Sequence, residues 1–186
     1  MGALTNLFQL ENGEEMRPWM GIFPLLLLGG CAAYNGQGLK PGEDRLESVL
    51  HIMGQPAMRW QNADGSVQLA YPRGPMGFHT YMAYIGPDGK LRQIENVLDQ
   101  KSFARIRAGM TKEEVLYILG PSFPGWTAYF KARDELVWEW RYCDALNEAA
   151  RFDVLFDDSK ATVRSTMSRT EAQMGLCGDG VCLCAH

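Results

Sequence analysis

Thr111-Lys112-Glu113-Glu114-Val115-Leu116-Tyr117-Ile118-Leu119-Gly120, followed by Pro121, is the stretch that decides the fold. The Thr111 hydroxyl is placed to accept the Glu114 amide, and the Glu114 carboxylate to reach back to the Thr111 amide. This reciprocal capping box starts a helix. Met110 before the cap and Val115 inside it suit a hydrophobic staple. Val115, Ile118 and Leu119 share one helical face, and Gly120-Pro121 stop the helix. Upstream, Lys101 to Ala108 predicts a second short helix that buries Phe103 and Ile106. Downstream, Leu136, Trp138, Trp140 and Tyr142 alternate with Glu135, Val137, Glu139 and Arg141, the period of a half-buried strand. The aromatic side reads as core beneath the helices. The side with Glu135, Glu139 and Arg141 reads as the face on which a partner or a lipid headgroup docks. Phe152, Val154 and Phe156 mark another strand, Asp157 to Lys160 a turn, and Ala161 to Met167 a third strand.

An earlier stretch echoes this one. Val49-Leu50-His51-Ile52-Met53-Gly54 aligns with Val115-Leu116-Tyr117-Ile118-Leu119-Gly120, and Trp60 aligns with Trp126 at the same offset. Leu46, Val49, Leu50 and Met53 form the helix face, stopped by Gly54 and Pro56. Val67 to Tyr71, Phe78 to Ile85 and Leu91 to Leu98 read as strands, with Pro87-Asp88-Gly89 as the turn between the last two. A repeat of this length points to two copies of one supersecondary unit. The expected fold is α+β: two tandem units, each a helix plus a three-stranded antiparallel sheet, with helices on one face of the sheet. The boundaries are residues 43–99 for the first unit, 100–170 for the second, and 171–186 for a cysteine-rich tail.

The N-terminal region carries export grammar. Arg17 precedes the apolar run Trp19 to Gly30, which is too short to cross a bilayer, where about 20 residues are needed. The run ends Leu28-Gly29-Gly30-Cys31. Small residues before the cysteine fit a narrow peptidase cleft, and Leu28 fills an apolar pocket. This ending resembles the lipobox of bacterial lipoproteins, which implies a diacylglycerol and an acyl chain on Cys31. Residues 1–30 are then a signal peptide. Glu11, Glu14 and Glu15 suit its charged end poorly, so Met16-Arg17 reads as the better start, with 1–15 a mis-called extension. Residues 31–42 follow as the lipidated cysteine and a Gly-rich tether. Acyl chains contribute about 0.8 kcal/mol per buried methylene, enough to anchor without a transmembrane helix. Ala32 after the cysteine, by resemblance to lipoprotein sorting, favours the outer membrane.

Composition excludes several classes. Among 186 residues, 18 basic and 22 acidic side chains give a net charge of −4, which disfavours nucleic acid as a partner. Charged residues at 22% and hydrophobics at 46% suit a folded globule. His51, His79 and His186 sit in no nucleophile, metal or phosphate motif, and no catalytic residue is assigned. The five cysteines leave Cys143, Cys177, Cys182 and Cys184 once Cys31 is lipidated. In an oxidising compartment disulfides are the default, but four cysteines allow three pairings. A bridge from Cys143 to the tail would pin the C-terminus. The tail spacing matches no common structural zinc pattern. A metal cluster and an unpaired tail stay open beside the disulfides.

Phe103-Ala104-Arg105-Ile106-Arg107-Ala108-Gly109-Met110-Thr111 and Val115-Leu116-Tyr117-Ile118-Leu119-Gly120 resemble the I-x-x-G-M-T-x-x-x-V-x-x-x-L-G signature of the SmpA/OmlA (BamE-like) family of outer-membrane lipoproteins. The aromatic strand ending Trp140-Arg141, then Phe152 to Phe156, a turn and Val163, follows that family's element order. The likeness covers about residues 98–170. The same motif occurs in β-lactamase-inhibitor-like repeats of that fold. The resemblance implies a non-enzymatic scaffold on the periplasmic face of the outer membrane. Its implied partners are subunits of the outer-membrane β-barrel assembly machine, with phosphatidylglycerol as a candidate lipid ligand and no cofactor beyond the lipid on Cys31. It points to Ile106, Gly109, Met110 and Arg141 as partner-binding candidates. Family members carry one copy of the unit, whereas this chain has an echo of it and an added cysteine-bearing tail. An inhibitor-like envelope lipoprotein is the alternative, and a metal- or redox-responsive one working through the tail is the third.

Overall fold

The capping box forms. Thr111 Oγ1 accepts the Glu114 amide at 3.2 Å, and Glu114 Oε2 accepts the Thr111 amide at 2.8 Å. The helix it starts, α3, runs Lys112–Leu119 and ends at Gly120, whose φ of +70° is a conformation that favours glycine. This computed structural model describes residues 35–184, and all of them lie in one compact unit. Residues 1–34, with the signal segment, Leu28, Gly29, Gly30 and Cys31, lie outside the described residues, as does His186. No helix among the described residues is long and apolar enough to cross a membrane.

The architecture is α+β, with two antiparallel sheets. Helix α1 (Leu46–Met53) precedes β1 (Met58–Gln61), β2 (Val67–Pro72), β3 (Thr80–Ile85) and β4 (Leu91–Asn96). A single-turn helix α2 (Gln100–Phe103) and then α3 precede β5 (Ala128–Phe130), β6 (Glu135–Cys143), β7 (Ala149–Asp157) and β8 (Thr162–Thr170). The strands pair in chain order, β1-β2-β3-β4 and β5-β6-β7-β8. Each sheet therefore has four strands where three are expected. The added members, β1 and β5, are short edge strands whose few residues give the alternation rule too little length to act on. The second predicted helix also shortens: Asp99 caps α2 by accepting the Ser102 amide, and the chain leaves helix after Phe103. Ile106 still reaches the core.

The helices do not keep to one face. Helix α1 packs Val49 and Met53 on the side of the first sheet that carries Val67, Leu69, Tyr71, Ala83, Ile85 and Leu91. The other side of that sheet meets α3. Gln68 Nε2 donates to the Tyr117 carbonyl at 2.6 Å, and Trp60 meets the Tyr117 ring edge-on at 5.6 Å. A β-carbon on Gly120 would lie 2.8 Å from Thr80 Cγ2 and 3.3 Å from Ala70 Cβ. Helix α3 thus stands between the sheets. The physical reason lies in β2, where Val67 to Tyr71 are all buried, so both faces need cover.

The second core sits between α2, α3 and the aromatic face of the second sheet. Phe103, Ile106, Val115, Ile118 and Leu119 pack on Trp140, Tyr142, Phe152, Val154 and Phe156, with Leu136 and Trp138 at its margin. Phe103 stacks on Phe152 at 4.0 Å and meets Tyr142 edge-on. The indole N–H of Trp140 is satisfied by the Gly120 carbonyl at 3.2 Å.

Candidate functional site

The opposite face of the second sheet is where the chain concentrates its charge. Register places Glu139 across from Asp153 and Arg141 across from Arg151 on β6 and β7, with Arg169 of β8 beside Arg151. Glu171, just past β8, holds both central arginines. Arg141 donates to its two oxygens at 2.6 and 2.7 Å, and Arg151 Nε donates at 2.6 Å. Arg151 Nη1 also donates to Glu139 at 2.5 Å, and Arg169 Nη2 to Asp153 at 2.5 Å. Paired fork-to-carboxylate geometry of this kind is strong and orienting.

This face is not the open docking surface expected of Glu135, Glu139 and Arg141. Glu171 is 4% exposed and Asp153 1%, and Glu135 is buried among Arg133 and Arg164. The reason is local. Trp126, from the short turn Pro124–Trp126, lies over the Arg151 guanidinium at 3.7 Å, and Phe78 lies over Arg141 at 4.2 Å. Arg141 Nη1 also donates to the Met76 carbonyl at 2.6 Å, drawing the β2–β3 loop onto the sheet. The Arg141 bond holds the Glu171 carboxyl below the usual carboxylate range, against the upward push of burial. Burial pushes the Glu139 carboxyl up, and the facing Asp153 adds to this while Arg151 opposes it. The second oxygen of Asp153, Oδ1, is buried with no hydrogen-bond partner among the described residues.

A cavity of about 230 Å³ opens beside these groups. Its floor is Glu139, Trp140 and Arg141 of β6, and its walls come from the loops Pro72–Thr80 and Pro121–Trp126. Pro72, Pro75, Pro121 and Pro124 are among the lining residues, and each lacks a backbone N–H. The Gly74-Pro75 bond in one wall is cis. His79 lines the cavity and stacks on Tyr81 at 5.5 Å. A second groove of about 380 Å³ lies elsewhere, lined by Trp60, Arg105, Met110 and Tyr117 among others.

The partner-binding candidates therefore separate. Arg141 lines the first cavity and Met110 the second. Ile106 is core, and Gly109 turns the chain at φ +88° while its amide donates to the Val163 carbonyl. Sequence reading missed Arg151, Asp153, Arg169 and Glu171. The alternation of Arg151 and Asp153 with Phe152 and Val154 was the available signal, since charges opposite an aromatic stripe belong to one face.

The tail closes one end of this face. Cys143 pairs with Cys184, and Cys177 with Cys182. Ala149 donates its amide to the Cys182 carbonyl, and Phe78, Ala149 and Cys184 pack together. No group of three or more His, Cys, Asp or Glu among the described residues is placed to hold a metal ion.

No protein-family model matches the chain, and no curated protein matches it. A solved structure with some likeness is an extracellular protein containing a SCP domain from Bacillus anthracis str. Ames, at 11% identity and a TM-score of 0.26. The match covers 93% of this chain and 52% of that one, so the chain spans about half that protein's length. A likeness at this level carries no argument about fold or function.

Proposed function

We propose that the chain is a non-enzymatic lipoprotein, anchored through Cys31 to the periplasmic face of the outer membrane, that acts as a scaffold or accessory subunit in the assembly of outer-membrane β-barrel proteins. The observation that carries this reading is the segment Phe103 to Gly120. It resembles the SmpA/OmlA signature, and it folds as turn, capping box, helix and glycine stop against an antiparallel sheet whose long strand contains Trp140-Arg141. A binding role, as against catalysis, is supported by the way Glu139, Arg141, Arg151, Asp153 and Glu171 neutralise one another. Phosphatidylglycerol remains the lipid ligand the resemblance implies, and the tandem units 43–99 and 100–170 belong to this reading.

A second reading, an inhibitor-like envelope lipoprotein, is favoured by one observation. A helix followed by a four-stranded meander occurs twice, as in a repeat, and not once as in the SmpA/OmlA family. Affinity purification of the detergent-solubilised protein from its host separates the two. Recovery of the barrel-forming subunit with its lipoproteins supports the scaffold. Recovery of a soluble periplasmic enzyme in their place supports the inhibitor. The anchor has its own test: Cys31→Ser should release the protein from the membrane, and unchanged retention would sink that part of the proposal.

A further inference from the structure

The two disulfides meet at one end of the second sheet. Cys143–Cys184 joins the end of β6 to the end of the tail, and Cys177–Cys182 closes the loop Gly178-Asp179-Gly180-Val181. That loop is exposed throughout, whereas Cys184 is buried. A β-bridge between Leu183 and Glu148 keeps the chain extended there. Alternate residues of an extended chain point to the same side. Leu183 accordingly points outward, 63% exposed, while Cys182 and Cys184 turn inward together. Both pack, with Cys143, into the small cluster of Phe78 and Ala149. Three of the four cysteines thus share one cluster, and Cys177 reaches it through its bond to Cys182.

We propose that the tail is a site of thiol–disulfide exchange, opened at Cys177–Cys182 by a dithiol and relayed by Cys182 to the Cys143–Cys184 bridge. Exchange proceeds by attack of a thiolate on a disulfide sulfur, and access to that sulfur governs it. Access sets the order here, because the outer bridge lies under an exposed glycine-rich loop and the inner one is shielded at Cys184. In the first step one thiolate of the dithiol attacks Cys177 Sγ and expels the Cys182 thiolate. The second thiolate of the dithiol resolves the mixed disulfide. Two electrons have then passed to the protein, Cys177 and Cys182 are thiols, and the dithiol is a disulfide. In the second step the Cys182 thiolate attacks Cys143 Sγ. The Cys143–Cys184 bond breaks, Cys143–Cys182 forms, and the electron pair leaves on Cys184, which takes up a proton. This step consumes neither oxidant nor reductant. Its consequence reaches the charged face. Cys184 packs on Phe78, and Phe78 lies over the Arg141 guanidinium at 4.2 Å. Freeing Cys184 therefore loosens the ring that covers Arg141, in the loop that forms one wall of the cavity. The proposal stands on the placement of the cysteines and survives failure of the barrel-assembly reading.

The test uses the full chain carrying Cys31→Ser, which removes the fifth thiol, with dithiothreitol as the dithiol. Free thiols are read by alkylation and peptide mapping. At limiting dithiothreitol, Cys177 should be labelled at least tenfold faster than Cys143, with its companion label divided between Cys182 and Cys184. Two variants isolate the relay without any reductant. Cys177→Ser leaves Cys182 free beside the inner bridge, so Cys184 should become labelled. Cys182→Ser leaves Cys177 free in its place, and Cys184 labelling should be at least tenfold lower. Label on Cys182 alone in the Cys177→Ser chain would overturn the proposal. So would equal Cys184 labelling in the two variants, or opening of Cys143–Cys184 before Cys177–Cys182 in the chain that keeps all four cysteines.

Discussion

The two sheets share a strand order and differ in what they bury. In the first, the middle strand β2 is buried on both faces and is covered by α1 on one side and α3 on the other. In the second, longer strands put aromatic residues toward α3 and a neutralised set of arginines and carboxylates on the reverse. The first sheet is held by transfer of apolar surface from water, which is tolerant of detail. The second is held on its far face by directional pairs, which are not. A buried ion pair contributes little net stability against an apolar equivalent, yet breaking one strands its partner. The structured reverse face is therefore the sensitive part of the molecule, and it is also where the cavity lies.

The largest effect should come from removing the carboxylate that two arginines share. Glu171→Ala leaves Arg141 and Arg151 buried with one partner fewer each, and a broken buried pair costs about 3–5 kcal/mol. Urea unfolding measures this directly. An effect below about 1 kcal/mol would show that the face hydrates freely, and that the contrast between the sheets is only one of sequence.

The next comparison sets the two helix-ending glycines against each other. Gly54 and Gly120 both adopt positive φ with ψ near ±180°, a region costly to any other residue by about 1–3 kcal/mol. A β-carbon on Gly54 meets open space, whereas one on Gly120 would press on Thr80 and Ala70 of the first sheet. Gly120→Ala should therefore exceed Gly54→Ala by about 1–3 kcal/mol, the usual cost of overpacking. Equal losses in the same unfolding assay would mean that α3 does not press on the first sheet as closely as its end implies.

Much of this was legible in the residues, and what was not has a physical cause. Thr111, Glu114 and Gly120 act within a few positions of one another, so the α3 boundaries followed from local chemistry. The aromatic stripe of β6 was equally plain, because strict alternation over eight or so residues is the period of a strand with one face in the core. Short β1 and β5 gave no such run, and Tyr129 and Phe130 are largely exposed in spite of their apolar character. The reverse face failed to read for a different reason. Glu139 and Arg141 look solvated along their own strand, and it is the partners brought by register, Asp153 and Arg151, and by chain return, Glu171, that leave them only half-exposed. The cavity depends on two loops remote from each other in sequence, Pro72–Thr80 and Pro121–Trp126. No local rule joins them.

The caps give a smaller contrast. Helix α3 begins with a closed capping box, while α1 begins at Arg45, which makes no side-chain cap bond. Thr111→Ala should cost about 1 kcal/mol. Arg45→Ser should not, because the hydroxyl supplies the missing cap while the exposed bond from Arg45 to the Asp88 carbonyl is lost. A loss at Arg45 as large as that at Thr111 would reassign Arg45 from a poor cap to a tie between α1 and the β3–β4 turn.

The smallest effect is one of pH, and it is read on the reverse face of the second sheet. Glu139 and Asp153 face each other in register, and Glu139 is pushed above the usual carboxylate range, first by burial and then by Asp153. A raised folded-state value means that this group's contribution is fully present below its unfolded value of 4.5 and is lost as pH rises through the folded value. Glu171 runs the other way: its lowered value gives stability above 4.5 that is lost as pH falls through the folded value. Glu139→Gln mimics the protonated carboxyl and carries a donor toward the unsatisfied Asp153 oxygen. Its stability relative to the unaltered protein should be highest near neutral pH and should decline as pH falls toward 4.5, around an offset set by the lost pair with Arg151. Paired urea titrations at neutral and mildly acidic pH read the difference. A difference that stays constant with pH would mean that Glu139 keeps its charge throughout, held by Arg151.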